Sequence, residues 1–259
     1  MDLTYKRYSE TGQPLLVLHG LFGSQSNWGW HCKQLAETYQ VIGVDLRNHG
    51  ESPHSDEHNY QVMAEDIKSL MKALKFDSCY LLGHSMGGKV AMEVALSSPE
   101  LVDKLLVVDI APVKYTDKAD GHMAVMAGMH ALDLSTLKSR AHAEEQLAEF
   151  IEDEATRKFV VTNLTFNSDS GFGWRLNLPV IEANYNRLRE QPSGEGPFEK
   201  PTLFVKGDLS KYIQAKHEAQ ILKLFPNAGV KIIVEAGHWL HADKPKAFQK
   251  VAMDFFSDN

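Results

Sequence analysis

The stretch Leu81-Leu82-Gly83-His84-Ser85-Met86-Gly87-Gly88 decides the fold. An apolar run beginning at Cys79 enters a Gly-x-Ser-x-Gly turn, and a helical pattern with Val90, Ala91, Val94 and Ala95 on its apolar positions leaves it. Strand, sharp turn and helix in that order are the context in which this motif lifts a serine hydroxyl out of a sheet as a nucleophile. Backbone strain at the apex points Ser85 outward. Gly83 and Gly87 lack a Cβ, so strand and helix can close on each other at the bend. The helix that begins at Met86 aims its free N–H groups and the positive end of its dipole at any oxyanion forming over Ser85.

Outward from this turn, the 259 residues alternate short all-apolar runs with amphipathic segments. Strands are predicted over 15–18, 41–44, 105–108, 202–205 and 230–234, with an edge strand over 3–8. Helices are predicted over 26–38, 60–74, 213–225 and 244–256, and the helix after Ser85 ends near Ser98-Pro99. Runs that are apolar on both faces, alternating with helices, imply an α/β fold with a mostly parallel sheet covered on both sides. Between 112 and 200 the pattern changes to helical, charged segments, with Met123, Met126, Met129 and Leu132 at helical spacing. The expected organisation is a core from 1–111 and 201–259, with 112–200 inserted as a small helical cap. Its expected place is over the carboxyl ends of the strands, where open α/β sheets bind ligands. Met126, Trp174, Phe166, Phe172 and Phe198 are candidate linings for an acyl pocket, although such residues are more often simply core.

A formal charge of −7 argues against a nucleic-acid partner, which needs a basic face. No apolar run approaches the ~18 residues that a membrane span requires. The first seven residues lack the apolar centre of a signal peptide, and the two cysteines, Cys32 and Cys79, have no metal-ligand spacing. The chain therefore reads as a cytoplasmic protein, monomeric or homodimeric, that needs neither cofactor nor metal. Lys114, Lys118, Lys138, Arg140, Arg175, Arg187 and Arg189 are scattered among acids and read as solvated surface, with a coenzyme A phosphate as the alternative contact.

A serine nucleophile needs a base within hydrogen-bond reach, and twelve histidines compete. His84 is the unconstrained position of the motif, and His19 belongs to a glycine-rich loop. His49, His54 and His58 sit in a polar loop and are expected in solvent. His122, His130, His142 and His217 fall in charged helical stretches where a surface histidine is the default. His238 follows the last strand through Glu235-Ala236-Gly237, so a short loop can swing it over the strand ends; His241 is its competitor. With His238 as base, activity is expected to fall as the ring protonates, at an apparent pKa of about 6 to 7. The acid that orients the base is either Asp109, at the end of the strand after Ser85, or Asp208, after the strand that precedes His238. The ordinary role of either is to cap a turn, and spacing alone leaves both open. The oxyanion hole is expected from the backbone N–H groups of Met86 and of Leu21 in the loop His19-Gly20-Leu21-Phe22.

Together, His19-Gly20-Leu21-Phe22-Gly23-Ser24, Asp45-Leu46-Arg47-Asn48-His49-Gly50, Gly83-His84-Ser85-Met86-Gly87-Gly88 and Val108-Asp109-Ile110-Ala111-Pro112 resemble the α/β-hydrolase superfamily, and within it the small YbfF-type serine esterases. The resemblance covers nearly the whole chain. It implies hydrolysis of short- to medium-chain acyl esters, and of acyl-CoA thioesters in some members, through an acyl-enzyme on Ser85. It also implies Asp109 as the triad acid, because the commoner superfamily position, a few residues past Gly207, holds Ser210 here. A menaquinone-pathway-type lyase on the same triad, or a non-catalytic binding protein on the same fold, are the alternatives.

Overall fold

A computed structural model describes residues 1–116, 121–169 and 171–257; Lys118 lies outside them. In chain order the elements are β1 (Tyr5–Arg7), β2 (Pro14–Leu18), α1 (Gly29–Leu35), β3 (Gln40–Val44), α2 (Tyr60–Leu74), β4 (Cys79–His84), α3 (Met86–Ser97) and β5 (Val102–Val108). Then come α4 (His122–Ala131), α5 (Arg140–Leu147), α6 (Glu154–Val161), β6 (Leu164–Asn167), β7 (Gly171–Trp174), α7 (Leu178–Ala183) and α8 (Tyr185–Leu188). The chain closes with β8 (Thr202–Gly207), α9 (Glu218–Leu224), β9 (Ala228–Ile233), α10 (Leu240–Asp243) and α11 (Pro245–Ser257).

Seven strands form one sheet in the order β1-β3-β2-β4-β5-β8-β9, parallel throughout except for β1. Period-two alternation divides its side chains between two cores. Leu16, Leu18, Leu81, Leu105, Val107 and Phe204 face α2, α3 and α9. Leu15, Val17, Leu82, Leu106, Val108 and Val205 face α1 and α11. A central strand buried on both sides must be apolar at every position, which is why these segments read so clearly as strands. The edge strand β9 departs from that picture: Val230 and Ile232 are 50% and 58% exposed.

The segment between β5 and β8 is not wholly helical. Besides α4 to α8 it holds an antiparallel hairpin, β6–β7, pairing Leu164 with Trp174 and Phe166 with Phe172. The turn residues Asn167, Ser168, Asp169 and Gly171 mark this hairpin in the sequence. Among the described residues no helix is long and apolar enough to cross a membrane.

Strand order reverses direction between β2 and β4, which opens a crevice at their carboxyl ends. The loop after β2 and the turn after β4 meet there. A Cβ on Gly87 would stand 2.5 Å from the carbonyl oxygens of both Leu18 and His19, and one on Gly83 would stand 2.3 Å from the Gly87 oxygen. Only glycine allows the first turn of α3 this close to β2 and β4. Gly87→Ala should therefore force the helix off the strands, at a cost of about 1–3 kcal/mol. It should lower the thermal midpoint and displace Ser85; an unchanged midpoint would contradict the packing described.

Candidate active site

Ser85 stands between β4 and α3 with φ +51° and ψ −116°, a conformation that costs on the order of 1–3 kcal/mol in a non-glycine residue. Its N–H bonds the Val108 carbonyl at 3.0 Å and its carbonyl accepts from Lys89 N at 3.1 Å, so strand and helix hold the strained residue from both sides. Asp109, the residue after β5, also has positive φ (+50°), and so does Glu235 (+55°) at the start of the loop leading to His238. Three strand ends thus converge on one point.

The His238 ring spans the gap. Its Nε2 lies 3.0 Å from Ser85 Oγ and its Nδ1 lies 2.8 Å from Asp109 Oδ2. A carboxylate only accepts, so Nδ1 carries the proton and the Nε2 lone pair faces the serine hydroxyl. His241 is not at this position. It is buried and stacked on Trp28, with ring centroids 4.2 Å apart. Asp208 is exposed and accepts the Ala236 N–H at 3.1 Å, a turn-capping contact. That contact and the Glu235 amide hold its carboxyl below the usual range.

Asp109 is fully buried. The Ser210 hydroxyl donates to Oδ2, and the Gly207 N–H lies 3.4 Å from Oδ1. Ser210, which occupies the commoner acid position, thus serves the Asp109 carboxylate. Burial is the dominant influence on both members of the pair. It pushes the Asp109 carboxyl up to about 6, against the pull of Ser210, and pulls His238 down from its ordinary 6.5. Nearby His122 lowers His238 further. The ring is therefore neutral at neutral pH.

The loop expected to supply the oxyanion hole rests on buried histidines, one of which, His49, the sequence reading places in solvent. His49 and His58 are fully buried, whereas His54 is exposed. His49 Nε2 accepts the Phe22 N–H at 3.2 Å while its Nδ1 donates to the Arg47 carbonyl at 3.0 Å. His19 accepts from Leu46 N at 3.0 Å and donates to the Gly20 carbonyl at 2.8 Å. Asn163 donates to the Phe22 carbonyl at 2.7 Å. Burial lowers the pKa of His19 to about 4 and of His49 to about 3, so each offers one donor and one acceptor to backbone. Arg47 in turn holds Asp66 of α2 by two bonds of 2.6 and 2.9 Å, which anchors the loop to the helix layer. Among the described residues no backbone acceptor lies against the Leu21 or Met86 N–H, and Leu21 and Ser85 line the same cleft.

Three further side chains at the site carry no motif signal. His84 Nε2 donates to the His238 carbonyl at 2.9 Å, and the Tyr212 ring stacks on His238 at 4.1 Å. His122, at the start of α4, accepts from or donates to the Tyr185 hydroxyl at 2.9 Å and packs edge-on against Phe22. His217, expected at the surface like His122, is buried, whereas His130 is exposed and paired with Glu182.

The cleft over Ser85 receives His122, Val125, Phe159 and Val160 from the inserted segment. The expected acyl-pocket residues lie elsewhere. Met126 is wholly buried, Trp174 donates to the Met129 carbonyl at 3.2 Å, and Phe198 packs on Phe225. Phe166 is 66% exposed on the hairpin and touches Phe172. Helical spacing showed that α4 has a buried face without showing which wall it meets; Met123, of the same stripe, is 49% exposed. Of the basic residues, Lys114 pairs with Glu190 and Arg175 with Glu51.

A family model described as alpha/beta hydrolase fold matches residues 13–245. The sn-1-specific diacylglycerol lipase ABHD11 of Mus musculus is 38% identical over 250 residues, covering 94% of this chain and 80% of that protein. Esterase YbfF of Escherichia coli strain K12 is 32% identical over 248 residues, covering 95% of this chain and 93% of that one. A solved structure described as a marine microorganism esterase superposes with a TM-score of 0.95 at 38% identity, over 98% of this chain and 99% of that chain.

The buried pair makes the pH dependence calculable in sign. The proton gained on acidification belongs to the His238–Asp109 pair as a unit, so the acid limb should lie below 6.5, lower than an exposed histidine would give. Ser210→Ala removes a donor to the carboxylate, raises the Asp109 pKa and should move that limb to higher pH, as read from kcat/KM against pH. A limb that stays in place would remove Ser210 from the network.

Proposed function

The chain belongs to the α/β-hydrolase family and is a hydrolase of the esterase/lipase type, and on that premise we propose that it is a serine carboxylesterase acting through an acyl-enzyme on Ser85. The observation that carries the reading is the unbroken relay from Ser85 Oγ through His238 to Asp109, at 3.0 and 2.8 Å. Ser85 Oγ attacks the ester carbonyl as His238 Nε2 takes its proton, and the N–H groups of Leu21 and Met86 receive the developing oxyanion. Asp109 stabilises the resulting imidazolium. His238 then returns the proton to the leaving alcohol, and water, activated by the same nitrogen, releases the acid. No step calls for a metal or a cofactor.

The substrates proposed are short- to medium-chain acyl esters, with acyl-CoA thioesters as a second class, held between the core and a cap formed by 112–200. The two buried free cysteines fit a reducing, cytoplasmic setting. A lyase working through the same triad would release its product without incorporating water, so turnover of simple esters separates the two readings.

Ser85→Ala should lower kcat by several orders of magnitude and abolish labelling by a fluorophosphonate, with the native thermal midpoint retained. Labelling that persists on another peptide would overturn the assignment. Asp109→Asn should lose about 10⁴ in kcat through the wrong imidazole tautomer, whereas Asp208→Asn, which affects only the turn, should lose about tenfold at most. Selectivity belongs to the walls. Val125→Phe and Phe159→Ala should move the optimum across nitrophenyl esters of increasing chain length while leaving the pH profile in place; unchanged selectivity in both would detach the cap from substrate choice.

A further inference from the structure

Helix α3 carries Ser85 at its N-cap and then Lys89 and Glu93 at successive steps of four, so the three share one face. Lys89 and Glu93 are nonetheless 1% and 3% exposed, a rare state for either residue unless it is paired. The Lys89 ammonium donates to the carbonyls of Val113 at 2.9 Å, of Arg189 at 3.4 Å and of Glu190. Those contacts account for all three of its protons. Its charge also lies 4.8 Å from the ring centre of Tyr115 and 5.4 Å from that of Tyr60. One turn further along, Glu93 accepts the Ser193 N–H at 2.6 Å and the Ser193 hydroxyl.

These partners share a location. Val113 and Tyr115 belong to the neck through which the chain leaves β5, and Arg189, Glu190 and Ser193 belong to the neck through which it returns to β8. The necks also touch each other, since Tyr115 N–H donates to the Arg189 carbonyl at 2.9 Å. Burial pulls the Lys89 pKa down to about 7, so keeping an amine here is costly and an apolar side chain would fill the space more easily. An apolar side chain would, however, leave carbonyls of both necks without their donor.

We propose that Lys89, with Glu93 as a second point of attachment, is a positioning residue that seats the 112–200 insertion over Ser85 by fastening both necks to the nucleophile's own helix. The proposal rests on the serine-esterase reading of Ser85. His122 and Val125, which line the cleft over Ser85, follow the outgoing neck in the chain, and Tyr185 and Leu188, which line an adjoining pocket with Ser85 and Lys89, precede the returning one, so the fastening sits one helical turn from Ser85 and beside these walls. The Ser85–His238–Asp109 relay comes from the core alone and does not depend on the fastening.

Lys89→Met keeps an unbranched side chain one atom shorter and removes its donors. With nitrophenyl octanoate, KM should rise about tenfold, while kcat with nitrophenyl acetate should stay within about threefold of native. In hydrogen–deuterium exchange, amides over 113–116 and 188–193 should exchange faster, and those of β4 and β5 should not. An equal fall of kcat on both esters at constant KM would assign Lys89 to the chemistry instead. Native exchange in both necks would show that they are held without it. Either result overturns the proposal. Should Lys89→Met fail to fold, Glu93→Leu removes both acceptors of Ser193 and reads the returning neck, where native exchange around Ser193 would again overturn it. The exchange measurement needs no turnover, so a native protein inactive on esters would refute the reading of Ser85 and still decide the role of Lys89.

Discussion

The first turn of α3 presses against the ends of β2 and β4 so closely that no Cβ fits at 83 or 87. The rest of the site depends on this contact. It holds Ser85 at positive φ, with its amide on the neighbouring strand and its carbonyl in the helix ladder. It brings the first turn of α3 against the start of the loop that carries Leu21, because the Leu18 and His19 carbonyl oxygens are the atoms a Cβ on Gly87 would meet. Gly20 completes the fit from the other side, where a Cβ would lie 2.8 Å from His84 Nδ1 and 3.3 Å from Ser85 Cβ. Strain of this kind persists only where packing over-determines the backbone, and here three elements do so.

Around that contact the protein uses neutral histidines as connectors. His19, His49 and His84 are buried, and burial lowers the pKa of each. A neutral imidazole offers one donor and one acceptor on a rigid ring, which suits two backbone groups that would otherwise be unpaired inside. His19 and His49 brace the loop that carries Leu21 in this way, and His84 braces the loop carrying His238. Protonating any of them would place a charge where water cannot reach it. The support of the site and the relay therefore share one requirement, a pH at which buried imidazoles are uncharged.

The sheet and the relay were legible because both leave local marks. Buried parallel strands must be apolar throughout, and the glycines around Ser85 answer a steric need within five residues. His238 was legible from its short distance to the last strand. The choice of Asp109 over Asp208 came from a family resemblance, since both aspartates end strands and only three-dimensional reach separates them. What went unread depends on partners distant in sequence. His49 and His58 lie in a segment of polar residues and are buried only because it folds against α2 through the Arg47–Asp66 pair. The sequence leaves the cavity walls open between core and pocket, because helical periodicity identifies an apolar face and not the surface it meets. Met126 lies wholly in the core, and the neighbouring Val125 lines the cleft.

A division of labour follows from where each group originates. Every atom of the relay, and both expected oxyanion donors, leave the ends of core strands, whose side chains are fixed on two faces. Part of the wall above Ser85, including His122, Val125, Phe159 and Val160, comes from a segment inserted between two adjacent parallel strands, β5 and β8. Such a segment can change in length and sequence without disturbing the sheet, because Tyr115 and Arg189 of its two necks are already hydrogen-bonded to each other. Its position over the nucleophile must then be set by contacts outside the sheet. Helix α3 is placed to provide them: its first residues belong to the site and its next two turns run beneath the necks of the insertion. The Ser85–His238–Asp109 relay and the inserted segment thus come from separate parts of the chain that meet on one helix.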